Sequence, residues 1–326
     1  MAVLLLKRVV VLNYDFDMVA IKSCSSEYEI IQRTYLTESE ISDEIDSAHI
    51  LIVGRSINIS ISTIQRLKNC LAIIRPGVGS DNIDSVEAEK RNIMVYNTPD
   101  YCIDEVADHT MALLLSYARR VSSANERFKA GNDDFWTPHL YADMGRLRDK
   151  TLGIIGMGCI GQAVARRASS FNMKISYYDP YLKQGMRKVL NANALSSICE
   201  LLNTSDYVSL HVPLTSQTKE IITSVDFEKM ESSVVIINTS RGKIISNDTI
   251  FLGLTSGKIE AFLADVLEKE PPNVSDPLIK SYIDNEVWIR DRLIITPHIA
   301  YLSKESTKEV ISQIFRLIAD ILVDAE

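Results

Sequence analysis

Three ionisable residues in the second half of the chain follow short apolar runs, and their types suit one another chemically. They are Arg241, Glu270 and His298. Arginine offers a planar fork that can bind a carboxylate and an adjacent carbonyl together. Histidine can donate a proton near neutral pH, and a neighbouring carboxylate fixes the orientation of the ring and favours its protonated form. The three side chains therefore suit hydride chemistry on a 2-oxo acid, if the fold brings them into one crevice.

Taken singly, each of the three has a simpler interpretation. Arg241 suits a surface ion pair, Glu270 a solvated loop carboxylate, and His298 a histidine whose hydrogen bonds are satisfied locally after Pro297. Their position favours the chemical interpretation. Ligands of doubly wound sheets bind at the carboxyl ends of the strands, and all three residues are expected there.

The other histidines carry no comparable signal. We expect His109, inside a long helical pattern, to be structural, and His211, at the end of a strand, to serve in packing. His49 and His139 fall near the ends of elements and match no motif. We therefore leave these four out of the candidate site.

A glycine turn precedes the three ionisable residues in the chain. The segment reads Thr151-Leu-Gly-Ile-Ile-Gly156-Met-Gly158-Cys-Ile-Gly161, which is typical of a strand, a tight turn and the start of a helix. Gly156 permits the turn, Gly158 lets a pyrophosphate approach the backbone, and Gly161 lets helix and strand pack closely. The N–H groups at the start of the helix would then hold the anion.

Asp179 ends the next predicted strand, eighteen residues after Gly161. A carboxylate at this offset accepts hydrogen bonds from ribose hydroxyls and repels a 2′-phosphate, so the sequence predicts NAD rather than NADP as the cofactor. The alternative is an ordinary strand–helix–strand unit in which Asp179 only opens the turn with Pro180.

Apolar, β-branched runs alternate with helical patterns along the whole chain. This alternation predicts parallel sheets with helices on both faces, and there are too many strands for one sheet. We therefore predict an α/β fold with two doubly wound sheets. A helix is predicted from Asp104 to about Arg120, and two long connections, 131–147 and 270–292, are predicted to be irregular. The predicted strands are Arg8–Leu12, Ile50–Val53, Leu71–Ile74, Met94–Tyr96, Leu152–Ile155, Lys174–Tyr178, Tyr207–Leu210, Val234–Asn238, Ala261–Ala264 and Leu293–Thr296.

The composition fits a folded protein with more than one domain. The chain has 326 residues, 46% hydrophobic and 24% charged, with a formal net charge of -8. This acidity argues against a broad basic surface for nucleic acid. No apolar stretch approaches the ~20 residues of a membrane span, and Lys7 and Arg8 interrupt the apolar start, unlike in a signal peptide. Scattered cysteines without a C-x-x-C pair predict reduced thiols in the cytoplasm and no zinc or other metal site. They are Cys24, Cys70, Cys102, Cys159 and Cys199.

Six ordered motifs resemble those of the D-isomer-specific 2-hydroxyacid dehydrogenase family, and together they cover nearly the whole chain. The sequence is most similar to the phosphoglycerate dehydrogenase-like and C-terminal-binding-protein-like branch, through Tyr178-Asp-Pro-Tyr-Leu and His298-Ile-Ala-Tyr-Leu-Ser. Besides the glycine turn, the motifs are Arg75-Pro-Gly-Val-Gly-Ser-Asp-Asn-Ile-Asp84, Asn97-Thr-Pro-Asp-Tyr-Cys-Ile-Asp-Glu-Val-Ala-Asp108, His211-Val-Pro-Leu-Thr215, Asn238-Thr-Ser-Arg-Gly242 and Thr296-Pro-His-Ile-Ala300.

The resemblance implies a role for each candidate site residue. Arg241 would bind the substrate carboxylate and carbonyl, and His298 would act as general acid and base with Glu270 as its partner. Asp265 would contact the nicotinamide carboxamide. The backbone of Gly77, Val78 and Gly79 would meet the substrate carboxylate. Further cofactor contacts would come from Gly156, Gly158, Cys159, Ile160, Gly161, Asp179, Val212, Thr239 and Ser240.

The resemblance also implies how the chain is organised. Residues 1–100 and 300–326 would form a flavodoxin-like substrate-binding domain, into which a Rossmann NAD-binding domain, residues 101–299, is inserted. The active site would lie in the hinge cleft. The protein would be a cytoplasmic homodimer that acts on a small 2-oxo or 2-hydroxy acid and has no nucleic-acid or membrane partner.

Some positions depart from the family pattern. Cys159 stands where an arginine is usual, so one phosphate contact is expected to be missing. Pro76 before the glycine loop and Phe262 at a position common for small residues are also unusual. An alternative function is that of an NAD(H)-sensing binding protein that keeps the fold for recruiting partners, because a fold alone does not settle function. The intact trio of Arg241, Glu270 and His298 favours the enzyme.

Overall fold

Alternating strands and helices build two separate parallel sheets in the computed structural model, which describes residues 7–14, 28–131, 136–182 and 185–323. The chain divides into two compact units, Met1–Tyr101 with Ser303–Glu326, and Cys102–Leu302. Cys24 and part of the predicted irregular arm, 132–135, lie outside the described residues. Within the described ranges, no helix is both long and apolar enough to cross a membrane.

The first unit contains a sheet of five parallel strands. They are β1 (Lys7–Leu12), β2 (Tyr28–Arg33), β3 (Ile50–Val53), β4 (Ala72–Arg75) and β5 (Met94–Asn97). Their order across the sheet is β2-β1-β3-β4-β5, which is the flavodoxin-like order. Short helices α1 (Ile61–Ile64) and α2 (Ser85–Lys90) and 3-10 turns at Glu38–Glu40 and Asp43–Ser47 connect the strands.

Burial explains why these strands form. All residues of β3 and β4 are buried, as expected for parallel strands covered on both faces, which are encoded by continuous apolar runs. The chain returns to this unit with a long amphipathic helix, Lys304–Val323, whose buried residues include Val310, Ile314 and Ile318 at a four-residue spacing.

The second unit contains a sheet of seven parallel strands in the order β12-β11-β10-β9-β6-β7-β8. This is the Rossmann order with one further strand, and the order reverses between β6 and β9. The strands are β6 (Thr151–Ile155), β7 (Lys174–Tyr178), β8 (Asn193–Ala194), β9 (Tyr207–Leu210), β10 (Val234–Asn238), β11 (Ile259–Ala264) and β12 (Leu293–Ile295).

Helices cover this sheet, and a hydrophobic core lies on each of its faces. One core contains Leu114 and Val164, and the other contains Phe227 and Leu254. Two 3-10 turns, Pro138–Tyr141 and Gly242–Ile244, are also present. The helices are α3 (Ile103–Ala118), α4 (Val121–Ala130), α5 (Cys159–Ser170), α6 (Met186–Val189), α7 (Ile198–Thr204), α8 (Ser224–Glu228), α9 (Asn247–Thr255) and α10 (Pro277–Ile283).

The prediction of two doubly wound parallel sheets is confirmed, but two strands were missed and one long connection contains a helix. Strand β2 was missed because it is a half-exposed edge strand with polar residues in its run, and β8 because it has only two residues. The connection 270–292 contains helix α10, whose cap Asp276 accepts hydrogen bonds from the N–H groups of Leu278 and Ile279. The predicted helix from Asp104 ends at Ala118.

Candidate active site

The glycine turn joins β6 to α5 at the carboxyl edge of the second sheet. Gly156 has a φ of 89°, in the left-handed region, and a Cβ there would collide with the carbonyl of His211. A Cβ on Gly161 would collide with the carbonyl oxygen of Gly156, whereas a Cβ on Gly158 would meet nothing within 4 Å. The turn is therefore packed closely against its own helix and the end of β9, and it is open at Gly158.

The open side of the turn is the start of α5. Cys159 is the first residue of this helix and is exposed, and Ile160 is half-buried. The first N–H groups of a helix have no partner within the helix, and the helix dipole favours negative charge beside them. The backbone here fits a pyrophosphate, because the residue that precedes the helix has no side chain and has open space where one would stand.

Asp179 directly follows β7, and its carboxylate is fastened to the glycine turn. Oδ2 accepts a hydrogen bond from the N–H of Met157 at 2.9 Å, and Oδ1 accepts one from the N–H of Tyr181 at 2.9 Å. Each carboxylate oxygen can accept a second hydrogen bond. The group is thus held beside the turn with acceptor capacity for the hydroxyls of a ribose.

Arg241 stands on a turn that the buried end of β10 organises. Asn238 Oδ1 accepts hydrogen bonds from the N–H of Ser240 at 3.0 Å and from its hydroxyl at 2.8 Å. Asn238 Nδ2 donates to the carbonyl of Arg241 at 3.0 Å. A Cβ on Gly242 would collide with the backbone of Leu267, so the turn lies directly against the chain that follows β11. The side-chain amide and this close approach hold the backbone of Arg241 in place.

His298 and Glu270 are in direct contact. His298 Nδ1 lies 2.6 Å from Glu270 Oε2, and because a carboxylate has only acceptor oxygens, Nδ1 is the donor. Glu270 Oε1 accepts a hydrogen bond from the N–H of Leu267 at 3.1 Å. The same Leu267 backbone lies against Gly242. The three candidate catalytic residues therefore stand on adjoining segments of the second unit.

Asp265 holds the loop that carries His298. Its side chain is buried; Oδ1 accepts hydrogen bonds from the hydroxyl of Thr296 at 2.6 Å and the N–H of Ile299 at 2.9 Å, and Oδ2 accepts one from Ala300 N–H at 2.8 Å. The backbone carbonyl of Asp265 accepts a hydrogen bond from the N–H of His298 at 2.8 Å. The nicotinamide contact that the resemblance implies for Asp265 stays a prediction: the described hydrogen bonds of this carboxylate are with the loop, and His109 Nε2 lies 3.6 Å from its Oδ1.

The other predicted cofactor residues lie at the ends of β9 and β10. Thr239 is buried, and its hydroxyl oxygen is 2.8 Å from that of Thr110 in α3. Val212 lies against the glycine turn, since a Cβ on Gly156 would collide with its Cγ1. Val212 therefore sits beside the point where the strand order reverses, which is where ligands bind in such sheets, and Thr239 follows the neighbouring strand β10.

His211 has the packing role that its position suggested. Its N–H donates to the carbonyl of Ile155 at 2.8 Å, and its Nε2 lies 2.8 Å from Ser209 Oγ. Burial of the ring lowers the pKa of His211 from the ordinary 6.5 to about 4. The histidine beneath the glycine turn is therefore neutral over the working range of most enzymes.

We expect the neutral His211 to make stability depend on pH. The unfolded chain binds a proton at this residue below about pH 6.5, whereas the folded chain resists protonation until about pH 4. Stability from this group is fully present above pH 6.5 and is lost as the pH falls toward 4, at about 1.4 kcal/mol per pKa unit. The free energy of unfolding, measured with denaturant at pH 7 and at pH 5, should fall less between the two pH values in His211→Gln than in the unaltered protein. The control His139→Gln, at an exposed histidine, should lose as much as the unaltered protein; equal losses in all three proteins would contradict the assignment.

The glycine loop of the first unit is fixed by the end of β5. The N–H of Gly77 donates to Thr98 Oγ1 at 2.6 Å, and the N–H of Thr98 returns a hydrogen bond to the carbonyl of Gly77 at 3.2 Å. Asn97 Nδ2 donates to the carbonyl of Val78 at 2.6 Å. The Gly77 N–H is thus engaged by the protein itself, and Val78 and Gly79 are the loop positions that follow it.

Sequence reasoning missed the residues that support the site rather than those proposed to form it. Asn238 and Thr98 lay inside recognised motifs, and the available signal was their polar type: Asn238 stands directly before Thr239, whereas Thr98 is 21 residues after the Gly77 that it holds. Thr296 likewise precedes Pro297 and His298. No sequence signal connected His109, 187 residues earlier, to Thr296, although their side chains are 2.9 Å apart.

Comparison with protein families gives one match, which covers most of the second unit. Residues 111–300 match the model described as the NAD binding domain of D-isomer specific 2-hydroxyacid dehydrogenase. This span includes the glycine turn, Asp179 and the Arg241, Glu270 and His298 segments. NAD is the cofactor of the domain.

Curated relatives extend the likeness to the rest of the chain. The D-3-phosphoglycerate dehydrogenase of Methanocaldococcus jannaschii is 35% identical over 289 residues, which are 89% of this chain and 52% of that protein. The hydroxypyruvate reductase of Thermotoga maritima is 33% identical over 309 residues, 93% of this chain and 96% of that protein. The glyoxylate reductase of Pyrococcus horikoshii is 32% identical, covering 94% and 92%. The chain thus spans about half the length of the first relative and nearly all of the two reductases.

Solved structures resemble the whole chain. The D-lactate dehydrogenase of Aquifex aeolicus, complexed with NAD and lactic acid, has a TM-score of 0.84 at 26% identity, over 97% of this chain and 96% of that chain. A Thermus thermophilus protein has a TM-score of 0.83 at 29% identity, over 97% of each chain. The two parallel-sheet units are therefore a known pairing of folds.

Proposed function

Because the chain belongs to the D-isomer specific 2-hydroxyacid dehydrogenase family, an NAD-dependent family of enzymes, we propose that it transfers a hydride between NAD(H) and a D-2-hydroxy acid or the corresponding 2-oxo acid. The observation that carries this proposal is the 2.6 Å contact between His298 and Glu270 at the carboxyl edge of the second sheet. A binding module has no need of a histidine held by a carboxylate, whereas a proton-exchanging enzyme does.

His298 exchanges the proton in this proposal. Glu270 accepts from Nδ1, so Nε2 is the nitrogen that gives its proton to the oxygen of the former carbonyl during reduction and takes it back during oxidation. NADH, when bound, supplies the hydride to the carbonyl carbon. The negative charge of Glu270 stabilises the positive charge of the ring before the transfer. The hydrogen bond from the Leu267 N–H to Oε1 holds the carboxylate in position.

Arg241 binds the substrate carboxylate and the neighbouring carbonyl oxygen. Its guanidinium can engage two oxygens with one planar fork, which a lysine cannot do. The loop Gly77, Val78 and Gly79 is a further proposed contact of a substrate carboxylate; the N–H groups of Val78 and Gly79 are the proposed donors, because the N–H of Gly77 already donates to Thr98 Oγ1. Asn97 and Thr98 support this assignment because they hold the loop in one conformation.

The glycine turn and Asp179 would hold the cofactor. Gly156, Gly158, Cys159, Ile160 and Gly161 form the backbone that fits the pyrophosphate. Thr239, Ser240, Val212 and Asp265 are the proposed contacts on the nicotinamide side. Asp179 is proposed to bind the ribose hydroxyls and to exclude a 2′-phosphate, which makes NAD the preferred cofactor over NADP.

Removing the charge of Asp179 should reduce the preference for NAD over NADP. Asp179→Asn keeps an oxygen for one backbone N–H and loses the repulsion of a phosphate, so we expect weaker NADH binding and a smaller advantage over NADPH. Titration of protein fluorescence with each cofactor measures the two Kd values without turnover. Asp143→Asn, at an exposed aspartate that pairs with Arg120, is the matched control. Equal affinity of the unaltered protein for NADH and NADPH would contradict the role of Asp179.

The substrate class follows from the family and from the relatives that the chain spans almost completely. Those relatives are named for hydroxypyruvate and glyoxylate, so small 2-oxo acids are the proposed substrates. Steady-state NADH oxidation should be measured with glyoxylate, hydroxypyruvate, pyruvate, and branched and phosphorylated 2-oxo acids, with chiral analysis of each product. An active 2-oxo acid and a D product are expected. Tight NADH binding without turnover on the panel would favour the NAD(H)-sensing alternative.

We also propose that the protein is a homodimer in the cytoplasm. Helix α4 buries none of its residues, and Val121, Phe128 and the nearby Trp136 expose 60%, 53% and 77% of their surfaces. Such apolar exposure supports a protein interface. Light scattering coupled to gel filtration should give twice the chain mass of 36.6 kDa.

A further inference from the structure

Helix α3 contacts the loop that carries His298 through a histidine outside the proposed catalytic trio. His109 Nε2 lies 2.9 Å from Thr296 Oγ1 and 3.6 Å from Asp265 Oδ1. The side chain of His109 is 21% exposed. All of these residues belong to the second unit, and neither Thr296 nor His109 has a place in the reaction described above.

The direction of the hydrogen bonds follows from the types of the groups. The Asp265 carboxylate has only acceptor oxygens, so the Thr296 hydroxyl donates its proton to Oδ1, at 2.6 Å. The hydroxyl oxygen is then an acceptor toward His109, and His109 Nε2 must carry hydrogen. The chain of donors therefore runs from His109 to Thr296 to Asp265.

This series of hydrogen bonds ends at the carboxylate of Asp265, which binds the loop on both sides of His298. Asp265 binds Thr296, two residues before His298, and the N–H groups of Ile299 and Ala300, directly after it. His298 has a φ of 57°, in the left-handed region that a residue with a side chain rarely adopts. A backbone in that region persists where its surroundings hold it, and the contacts of Asp265 supply that restraint.

The same turn of α3 also supports the strand end before Arg241. Thr110 donates its hydroxyl proton to the carbonyl of Val106 at 2.7 Å, and its oxygen lies 2.8 Å from the hydroxyl of Thr239. Two consecutive residues of one helix thus contact the segments that carry Arg241 and His298. The helix is long, with 16 residues, and eight of them are buried, so it is a rigid support.

We propose that His109 is a positioning residue, which holds the His298 loop in its working conformation through Thr296 and Asp265. Its hydrogen bond orients the Thr296 hydroxyl toward Asp265 and so keeps the carboxylate aligned with Ile299 and Ala300. The consequence for turnover rests on the proposed function, whereas the consequence for the loop does not.

The test compares His109→Phe with His109→Gln. Phenylalanine keeps a planar apolar side chain but removes the donor, and glutamine can offer an amide N–H to Thr296. We expect His109→Phe to lower kcat by about 10- to 100-fold, the usual result of a small misplacement of a catalytic group, with little change in KM. His109→Gln should recover most of the loss. Asp108→Asn, the neighbouring exposed position paired with Arg167, is the control and should behave like the unaltered protein.

Amide hydrogen exchange measures the stability of the His298 loop without any substrate. The peptide that contains Ile299 and Ala300 should exchange several-fold faster in His109→Phe than in His109→Gln or Asp108→Asn, with the core peptides of β10 and β11 unchanged. Faster exchange throughout the unit would instead indicate general destabilisation and would overturn the positioning role. So would unchanged exchange of the loop peptide.

A double-mutant cycle tests whether His109 acts on the loop through Thr296. If His109 acts through Thr296, His109→Phe should have almost no further effect on loop exchange or kcat in a Thr296→Val background. Additive effects would overturn the proposal. Failure of the proposed function and failure of the positioning role are distinguishable. A protein that is inactive on every 2-oxo acid contradicts the proposed function, while exchange of the loop peptide still tests His109. An active protein whose loop peptide exchanges normally in His109→Phe contradicts only the role of His109.

Discussion

His298→Ala is expected to lower kcat by about 10²–10⁴-fold, which is the usual contribution of a positioned general acid. The reason is the geometry of the ring: Glu270 fixes Nδ1 at 2.6 Å, and Asp265 holds the loop on both sides. Water at the same place has neither the orientation nor a suitable proton affinity. NADH should still bind, because the glycine turn and Asp179 are on other segments of the sheet.

Two measurements on His298→Ala distinguish loss of the catalytic group from damage to the fold. The Kd of NADH, from fluorescence titration, should change little in His298→Ala, while kcat/KM for the 2-oxo acid falls with kcat. His298→Ala with near-normal turnover would remove His298 from the mechanism. Glu270→Gln is the companion variant: it keeps an acceptor for His298 Nδ1 but loses the charge-assisted hydrogen bond that orients the ring. We expect kcat for the 2-oxo acid to fall by about 10-fold in Glu270→Gln, because a charge-assisted hydrogen bond is replaced by a weaker neutral one. An unchanged kcat would mean that Glu270 is not the partner.

Arg241→Lys is expected to lower kcat/KM for a 2-oxo acid by about 10- to 100-fold although the charge is kept. The substitution removes the second arm of the fork, and a charge-assisted hydrogen bond is worth roughly 1.5–3 kcal/mol, at about 1.4 kcal/mol per tenfold in rate. The backbone should stay in place, because Asn238 and the close approach of Gly242 still hold it when the hydrogen bond from Arg241 Nη1 to the carbonyl of Ser240 is lost. Steady-state kinetics and a thermal unfolding curve together check both statements.

A matched variant shows whether charge or geometry matters. Lys243→Arg, two residues further on at an exposed position, exchanges the same two residue types in the opposite sense and should leave kcat/KM unchanged. Arg241→Lys with the activity of the unaltered protein would contradict the role of the fork. The proposed substrate class would then lose its structural basis, since the fork is what selects a carboxylate next to a carbonyl.

The sequence predicted those parts of the molecule in which local pattern and tertiary role coincide. Strands β3, β7, β9 and β10 were predicted with their observed bounds. In β3 and β10 the reason is that strands buried on both faces are encoded as nearly continuous apolar runs. The glycine turn was predictable because Gly156 and Gly161 each meet a separate steric demand within the protein, and Gly158 leaves the start of the helix open. Strand β2 was not, because it is a half-exposed edge strand in which Glu29, Gln32 and Arg33 interrupt the apolar run, and its place beside β1 is set by the sheet.

The candidate site divides in the same way. Arg241, Glu270 and His298 follow strands in the sequence, so their common edge could be inferred from topology alone. Their supports could not. Leu267 serves the site through a backbone N–H, which every residue but proline has, and His109 reaches Thr296 from a helix 187 residues away. Such contacts depend on how a helix packs on the sheet, which the sequence does not state locally.

In the proposed function, the protein reduces a carbonyl that has a carboxylate beside it. The most direct test is NADH oxidation by the unaltered protein with hydroxypyruvate and with glycolaldehyde, its decarboxylated counterpart, under identical conditions. We expect kcat/KM for hydroxypyruvate to be at least about 100-fold higher, because glycolaldehyde leaves the fork of Arg241 without its carboxylate. Equal kcat/KM for the two compounds, or a preference for the aldehyde, would contradict the account.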